Sequence, residues 1–564
     1  MAEYEIQIER YVDGKGRPAR ASKHGGMRAA AFIFVVEALE NMAFISIATN
    51  LVRYFSVSMH YSLAVSANML TNYMGTSFLL TLVGGFISDS FITRFWTIVS
   101  FACAELLGLL MLTLQAHFPA LTPPPCDTKQ LRQNCEEPTF GQAAMLYTGL
   151  YIVAVGVGAV KASLPAHGAD QFDDTDPTEK KLISHFFNWY FFSLCLGSLV
   201  AVTLIVWVQE NLGWEWGFGL STTGIFLALV VFVLGFLRYR NKIPSGSPLT
   251  RIAQVLIAAV RNRKLPLPAD SKMLHDVYFV ESSVEHTEQF RFLDKAAIAR
   301  RSTQEDPSTA SKWRLCTLTQ VEETKSLLRM LPIFASTIMM NCCLAQLQTF
   351  SVQQGSTMDR TLKSFEIPAA SLTAIPLVIM VILVPLYDQL FVPLARRITG
   401  HESGITHLQR VGIGLLLSAL AMAVAAVVEL KRKAVARDHS LLDTDESLPI
   451  SVFWLGWQYL VLGIADMFTL AGLLEFFYSQ APSGMRSLST ALSWCSISSG
   501  YYLSSVLVSV VNKISARLRN GVGWLSGNNL NRNHLELFYT LLCVLTFLNF
   551  FHYLAWARWY KYKS

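Results

Sequence analysis

Twelve runs of roughly 20 apolar residues, separated by polar joints, constrain the fold of this chain more than any other feature. They fall at about 28–50, 68–88, 95–115, 143–165, 183–207, 216–238, 327–350, 368–390, 409–429, 451–475, 487–511 and 535–557. A helix rises about 1.5 Å per residue, so each run is long enough to cross about 30 Å of hydrocarbon. Inside hydrocarbon every backbone polar group must be paired within the protein, and a helix does this one run at a time. The chain is 52% hydrophobic and 15% charged, where a soluble protein of this size carries about 25% charge. The sequence therefore predicts an all-α membrane protein, its helices arranged as two six-helix bundles.

Charge gives an orientation. Arg10, Lys15, Arg17, Arg20 and Lys23 precede the first run and place the N-terminus in the cytosol. That run is too long for a signal-peptide core and lacks a cleavage site, so no cleavable signal is expected. Six crossings return the chain to the cytosol, where a long basic segment belongs. The expected division is a cytosolic tail (1–27), a bundle (28–238), a cytosolic linker (239–326), a second bundle (327–558) and a cytosolic tail (559–564). Within the linker, Leu249 to Val260 is amphipathic and suited to lie along the membrane face, and a further helix is expected near Lys295 to Arg301. Two basic stretches, Lys431-Arg432-Lys433 and Lys513 to Arg519, fall outside on this count and fit the charge rule poorly. Two six-span halves joined by a long linker match the architecture of major facilitator transporters, whose solute site lies at the midplane between the halves.

Polar groups inside the runs mark candidate sites. Glu37, Glu40, Asn41 and Phe44 fall at i, i+3, i+4 and i+7, so a helix puts them on one face. A carboxylate at mid-membrane costs about 2.5–3.5 kcal/mol, so this face must line a protein-enclosed, wet cavity. Lys161 ends a small-residue stretch of the fourth run; it either snorkels to an interface or supplies the cation for Glu37 and Glu40. The helix that follows it, and the two uncompensated acids, favour the second role. Asp466 lies in the middle of the tenth run and is expected in the cavity. Glu475 either gates or pairs near the interface, and Asn341 either reaches across the cavity or bridges helices. Asp89 and Arg94 flank the joint between the second and third runs, where they form either a latch closing the cytosolic side or an ordinary polar loop. Thr97, three residues after Arg94, loosely matches a basic-directed site for a regulatory kinase.

The nine cysteines show no metal-ligand spacing. Cys126 and Cys135 share the predicted external loop beside three prolines, where they form a disulfide or remain two free thiols. The chain has no phosphate-binding glycine loop, no His-Glu-x-x-His zinc helix and no nucleophile elbow. No enzyme activity, cofactor, metal or nucleic-acid partner is expected. Movement of a solute would run on a gradient or be passive.

Taken in order, several stretches make the chain resemble the plant nitrate and peptide transporter family, a branch of the proton-coupled oligopeptide transporters. They are the paired glutamates of the first run, Gly-Ala-Asp-Gln-Phe-Asp at 168–173, Asn188-Trp189-Tyr190 to Gly197-Ser198, Leu331-Pro332-Ile333, and Leu474 to Tyr478. Met340 to Gln346 and Gly213 to Gly219 look most like the subfamily containing abscisic acid and gibberellin transporters. The family motif is Glu-x-x-Glu-Arg (or Lys), which couples protons to solute. Glu37 and Glu40 match it, while Asn41 replaces the cation and removes one stabiliser of the ionised carboxylates. Either Lys161 is then the sole counter-ion, or coupling is weak. Leu344 stands where the family's nitrate carriers have a histidine. The resemblance implies alternating-access uptake of a small hydrophobic carboxylic acid, abscisic acid or a gibberellin, across the plasma membrane. In this reading Lys161, Asn41, Phe44, Asn341, Leu344 and Trp494 bind solute, Glu37, Glu40 and Asp466 handle protons, and Asp89, Arg94 and Glu475 gate. Nitrate or peptide symport is the alternative within transport. A receptor signalling through the linker is the alternative outside it.

Overall fold

The computed structural model describes residues 7–20, 23–61, 63–124, 136–244, 246–267, 274, 286–298, 311, 313–362, 365–366, 369–400, 404–442, 447–482, 484–518, 523–525 and 530–562. Cys126 and Cys135 lie outside them. Among the described residues there are twelve helices long and apolar enough to span a membrane. They are Gly26–Ser58, Met69–Ser90, Arg94–His117, Phe140–Ala169, Pro177–Asn211, Trp214–Leu237, Leu318–Ser356, Ser371–Thr399, His407–Asp438, Val452–Gln480, Arg486–Leu518 and Leu535–Trp559. These are spans one to twelve below.

Local chemistry sets where spans begin. Spans four, seven and nine each start on a Thr-x-x-Gln capping box, at Thr139/Gln142, Thr317/Gln320 and Thr406/Gln409. In each, the threonine hydroxyl accepts the third amide of the helix and the glutamine returns a bond to the cap, satisfying two otherwise orphaned donors. Asp176 caps span five, ahead of Pro177 at its first position. A π-turn at Tyr54–Ser58 ends span one, and others interrupt spans five and eight at Ala201–Ile205 and Tyr387–Phe391.

Two apolar clusters hold the molecule together, one drawn mainly from spans one to six and one from spans seven to twelve. The two halves meet closely along spans two, four and eleven. A Cβ added at Gly85 would lie 2.8 Å from the Ser487 carbonyl oxygen and 2.9 Å from Leu488 Cα, so only glycine allows this approach. Across the same seam Ser498 donates to the Gly75 carbonyl at 3.1 Å and Thr490 to the Ala162 carbonyl at 3.0 Å.

Because the number of spans is even, both chain ends emerge on one face, here called the termini face. A hairpin of Gln7–Val12 and Pro18–Arg20 sits there, with Val12 bridged to Asn241 just after span six. Arg240 is fully buried beneath it, held by both carboxylate oxygens of Glu179 at 2.6 and 3.0 Å and by the His24 carbonyl at 3.0 Å. In the linker the amphipathic helix runs over Pro248–Arg261 and packs with a third small apolar cluster. The second linker helix is 3-10 and covers Arg291–Ala297, starting four residues before the expected Lys295 to Arg301 and overlapping it over 295–297, while 299–301 lie outside the described residues.

The misfit basic tripeptide has a structural explanation. Arg432 is fully buried and bidentate to Glu429 at 2.7 and 2.8 Å, with a further bond to Asn531 at 2.6 Å. Lys433 pairs with Glu536 at 2.9 Å, and Lys431 lies 3.4 Å over the Trp454 ring. Arg432 and Lys433 are thus consumed inside the protein and do not report on sidedness, while Lys431 stays exposed.

Candidate functional site

The buried charges predicted for spans one and four are brought together. Lys161 is 1% exposed, so it does not snorkel. Its ammonium donates to Glu40 Oε2 at 2.7 Å and to the Asn41 side-chain oxygen at 3.2 Å. Phe44 and Trp494 cover it from two sides, with ring centroids at 5.0 and 5.1 Å, a cation–π box for a desolvated cation. Trp494 in turn donates to the Lys161 carbonyl at 3.0 Å and stacks on Phe78 with centroids 5.8 Å apart. Asn41 takes the place of a cation without replacing its charge. Its amide nitrogen reaches the Ser198 hydroxyl at 2.6 Å and the Leu194 carbonyl at 2.8 Å, tying span one to span five. Glu37 accepts the Tyr190 hydroxyl at 2.5 Å. A third acid, Glu105 of span three, is buried beside this cluster. The sequence reading missed it, although an acid inside an apolar run is the same signal that singled out Asp466.

A cavity of about 260 Å³ lies between the halves, in the part of the molecule away from the termini face. Its walls come from spans one, two, five, seven, eight and ten, with Ile45, Leu194, Leu344, Leu377 and Met380 among the apolar contributors. Ser198, Thr49, Thr373 and Tyr459 supply hydroxyls, and Asp466 is the single charged residue in the lining. Among the described residues Asp466 has neither a hydrogen-bond nor an ion-pair partner.

Of the expected solute-contacting residues, then, Leu344 lines this cavity. Lys161, Phe44 and Trp494 do not; they form the closed box behind its wall. Asn41 reaches the wall only through Ser198. Asn341 bridges helices: its amide nitrogen donates to Ser496 at 2.8 Å, and Gly500 packs directly against its Cβ. Its spacing on the helix is equally compatible with either role, so only the position of span eleven decides between them.

The termini face is closed by charge. Arg94 pairs with Asp89 at 2.8 Å and with Asp170, and its Nε donates to Ser487 across the halves at 2.6 Å. Asp89 also accepts the Leu488 amide at 2.9 Å. From the second half, Tyr478 donates to Asp170 at 2.8 Å, while Arg486 donates to the Tyr478 hydroxyl at 2.9 Å and pairs with Asp174. Burial would raise the Asp170 carboxyl, but Arg94, Lys242 and Arg486 bring it down to about 2. Tyr11 of the N-terminal hairpin is buried near the same carboxylates, and Lys242 lies 5.9 Å from its ring centroid. Burial lowers Lys242 to about 8, against the pull of Asp170 and Asp174.

A second closure joins span five to spans eight, nine and ten. Asp388 accepts from Asn188 at 2.7 Å and pairs with His185 at 2.5 Å, and Arg410 donates to Asn188 at 2.9 Å. Glu475 lies 3.6 Å from both Arg410 and His407. Asp89, Arg94 and Glu475 thus sit in the contacts that hold this face shut. Thr97 is fully buried and donates to the Thr93 carbonyl at 3.2 Å, so a kinase cannot reach it in this conformation.

Comparison with known proteins agrees with this arrangement. Residues 95–525 match the family described as PTR2, POT family. "Protein NRT1/ PTR FAMILY 4.5" of Arabidopsis thaliana is 51% identical over 99% of this chain and 97% of its own length. "Protein NRT1/ PTR FAMILY 4.6" of the same plant is 50% identical over 99% and 97%. Among solved structures, "In meso crystal structure of the POT family transporter PepTSo" superposes with a TM-score of 0.62 at 19% identity, covering 94% of this chain and 98% of that one. "Crystal structure of auto inhibited POT family peptide transporter" gives 0.61 at 20% identity, over 95% and 97%. The fold is that of a major facilitator with twelve spans in two bundles, and the chain belongs to the POT family of multi-pass membrane transporters, beside its plant NRT1/PTR members.

Proposed function

We propose that this transporter imports a small, largely apolar organic acid by alternating access with proton coupling, abscisic acid or a gibberellin being the leading cargo. The observation that carries this reading is the cavity between the halves. Its volume of about 260 Å³ is near the lower bound for small-molecule pockets, about 300 Å³. Its apolar walls suit a terpenoid body better than a hydrated inorganic anion. The termini face is cytosolic and the cavity opens outward at the plasma membrane, an orientation supported by the basic N-terminal tail.

The coupling follows from the buried pair. A proton arriving on Glu40 removes the anion that holds Lys161 at 2.7 Å. Asn41 connects Lys161 to Ser198 on the cavity wall, so the freed ammonium needs to pass one side chain to meet a cargo carboxylate. Glu37, anchored by Tyr190, and Asp466 in the lining are the other proton carriers. Asp89, Arg94 and Glu475 hold the cytosolic gate while the outer side loads. A second reading, peptide symport, draws support from Asp466, whose carboxylate suits a peptide's ammonium end.

Uptake of radiolabelled abscisic acid, a gibberellin, nitrate and a dipeptide into oocytes, at acidic and neutral external pH, tests both readings. Saturable, acid-stimulated uptake of a hormone, abolished in Lys161→Ala at normal surface expression, is expected. Dipeptide uptake alone would move the assignment to the second reading. Uptake indifferent to pH would remove proton coupling.

A further inference from the structure

Glu105 has no role in the reading above, and its surroundings give it one. It is 1% exposed, and among the described residues neither carboxylate oxygen has a hydrogen-bond partner. The backbone of span four passes against it: a Cβ on Gly156 would lie 2.5 Å from Glu105 Cβ. Glu40 and Glu105 both line a narrow gap of about 10 Å³ that opens no polar surface, too small and too apolar to hold a water. Its other walls are apolar, from Val36, Ile98, Val160 and Phe232.

The charged and titratable groups around Glu105 are Glu37 and Glu40 from span one, Tyr73 from span two and Lys161 from span four; span six contributes only apolar side chains to the gap. Three carboxyls thus share one cation. An isolated ionised carboxylate sealed from water costs many kcal/mol, and such a group takes up a proton instead. Lys161 already has Glu40 at 2.7 Å. Glu105 meets no donor, as a neutral acid allows.

We infer that Glu105 is a third proton-binding residue of the coupling cluster, exchanging its proton directly with Glu40 across the gap they share. The O–H bond on Glu105 breaks as one forms on Glu40. Lys161 keeps its charge and changes partner, from Glu40 to the newly ionised Glu105. The net charge of the cluster is the same before and after. This rests on the proposed coupling through Glu40, and one arm of its test does not.

That arm is infrared difference spectroscopy of the purified, cargo-free protein, comparing wild type with Glu105→Gln. The carbonyl stretch of a buried protonated carboxylic acid is expected in wild type and lost in the variant. An unchanged spectrum overturns the inference, whether or not any cargo has been found. The second arm measures cargo accumulation against an imposed pH gradient. Removing one coupled proton should lower the accumulation ratio by about tenfold per pH unit, with Glu105→Asp restoring part of it. Loss of the infrared band with unchanged accumulation takes Glu105 out of coupling and also overturns the inference. Thermal stability of each variant, measured alongside, separates these outcomes from misfolding.

Discussion

The hydroxyl of Tyr478 offers the most direct test of how the termini face is held shut. It bridges the halves by donating to Asp170 at 2.8 Å and accepting from Arg486 at 2.9 Å. Tyr478→Phe removes that one oxygen. The ring stays, and with it the Arg486 guanidinium stacked 4.4 Å from its centroid. Asp170 keeps Arg94 and Arg486, so no carboxylate is orphaned. The loss is therefore that of hydrogen bonds to charged partners, about 1.5–3 kcal/mol. Shared over the closed state alone, this lowers the ratio of closed to open molecules by roughly 10- to 100-fold. Spin labels at Lys180 and Arg397, both exposed on the termini face, would report it as a gain in the long-distance population by pulsed electron resonance. In an Asp170→Asn background the same change should cost less, because one of the hydroxyl's two charged partners is then neutral while Arg486 still donates to it. Identical distance distributions for wild type and Tyr478→Phe would refute the claim that this hydroxyl helps to close the gate.

Gly85→Ala should favour opening at the same face, since its Cβ would meet backbone at 2.8 Å; an overpacking cost of about 1–3 kcal/mol is expected in the same distance measurement. Glu429→Gln should cost about 3–5 kcal/mol, because it breaks the fully buried pair with Arg432, and a thermal melt in lipid nanodiscs would show it. Lys242 is lowered from 10.5 to about 8, so between these values the unfolded state binds more protons than the folded one. Stability should rise with pH across that window, and Lys242→Met should flatten the dependence of the melting temperature on pH above about 8. Glu40→Gln should free Lys161 from its partner without a proton, giving cargo uptake that responds less steeply to external pH than that of the wild type.

Much of this was legible in the sequence because membrane spans are written in one dimension. Run length and composition gave the twelve helices, and intramembrane acids gave Glu37, Glu40 and Asp466. Contacts between distant spans were harder to read. Phe44 and Trp494 look like cavity-lining aromatics on their own helices, and only the approach of span eleven turns them into a box around Lys161. Asp388 and Arg410 sit at span ends, where charged residues are ordinary; their meeting through Asn188 depends on how spans five, eight and nine converge. Arg432 looked like a topology signal although its carboxylate partner, Glu429, stands only three residues before it; the burial of the pair, and the bond to Asn531 99 residues away, came with the fold. Glu105 is the exception, since it carried the same visible mark as Asp466.

The solitary Asp466 has an electrical consequence. Lys161 and Glu40 sum to zero, so turning that pair from one side of the membrane to the other does no work against the voltage. An uncompensated charge crossing 100 mV exchanges about 2.3 kcal/mol. Asp466 faces the cavity without a counter-ion among the described residues. When ionised it moves a negative charge as the empty carrier resets; when protonated it moves none. The current carried per transport cycle therefore reads out the state of one carboxylate, and Asp466→Asn should leave the voltage with nothing in the cavity to act on but the cargo itself.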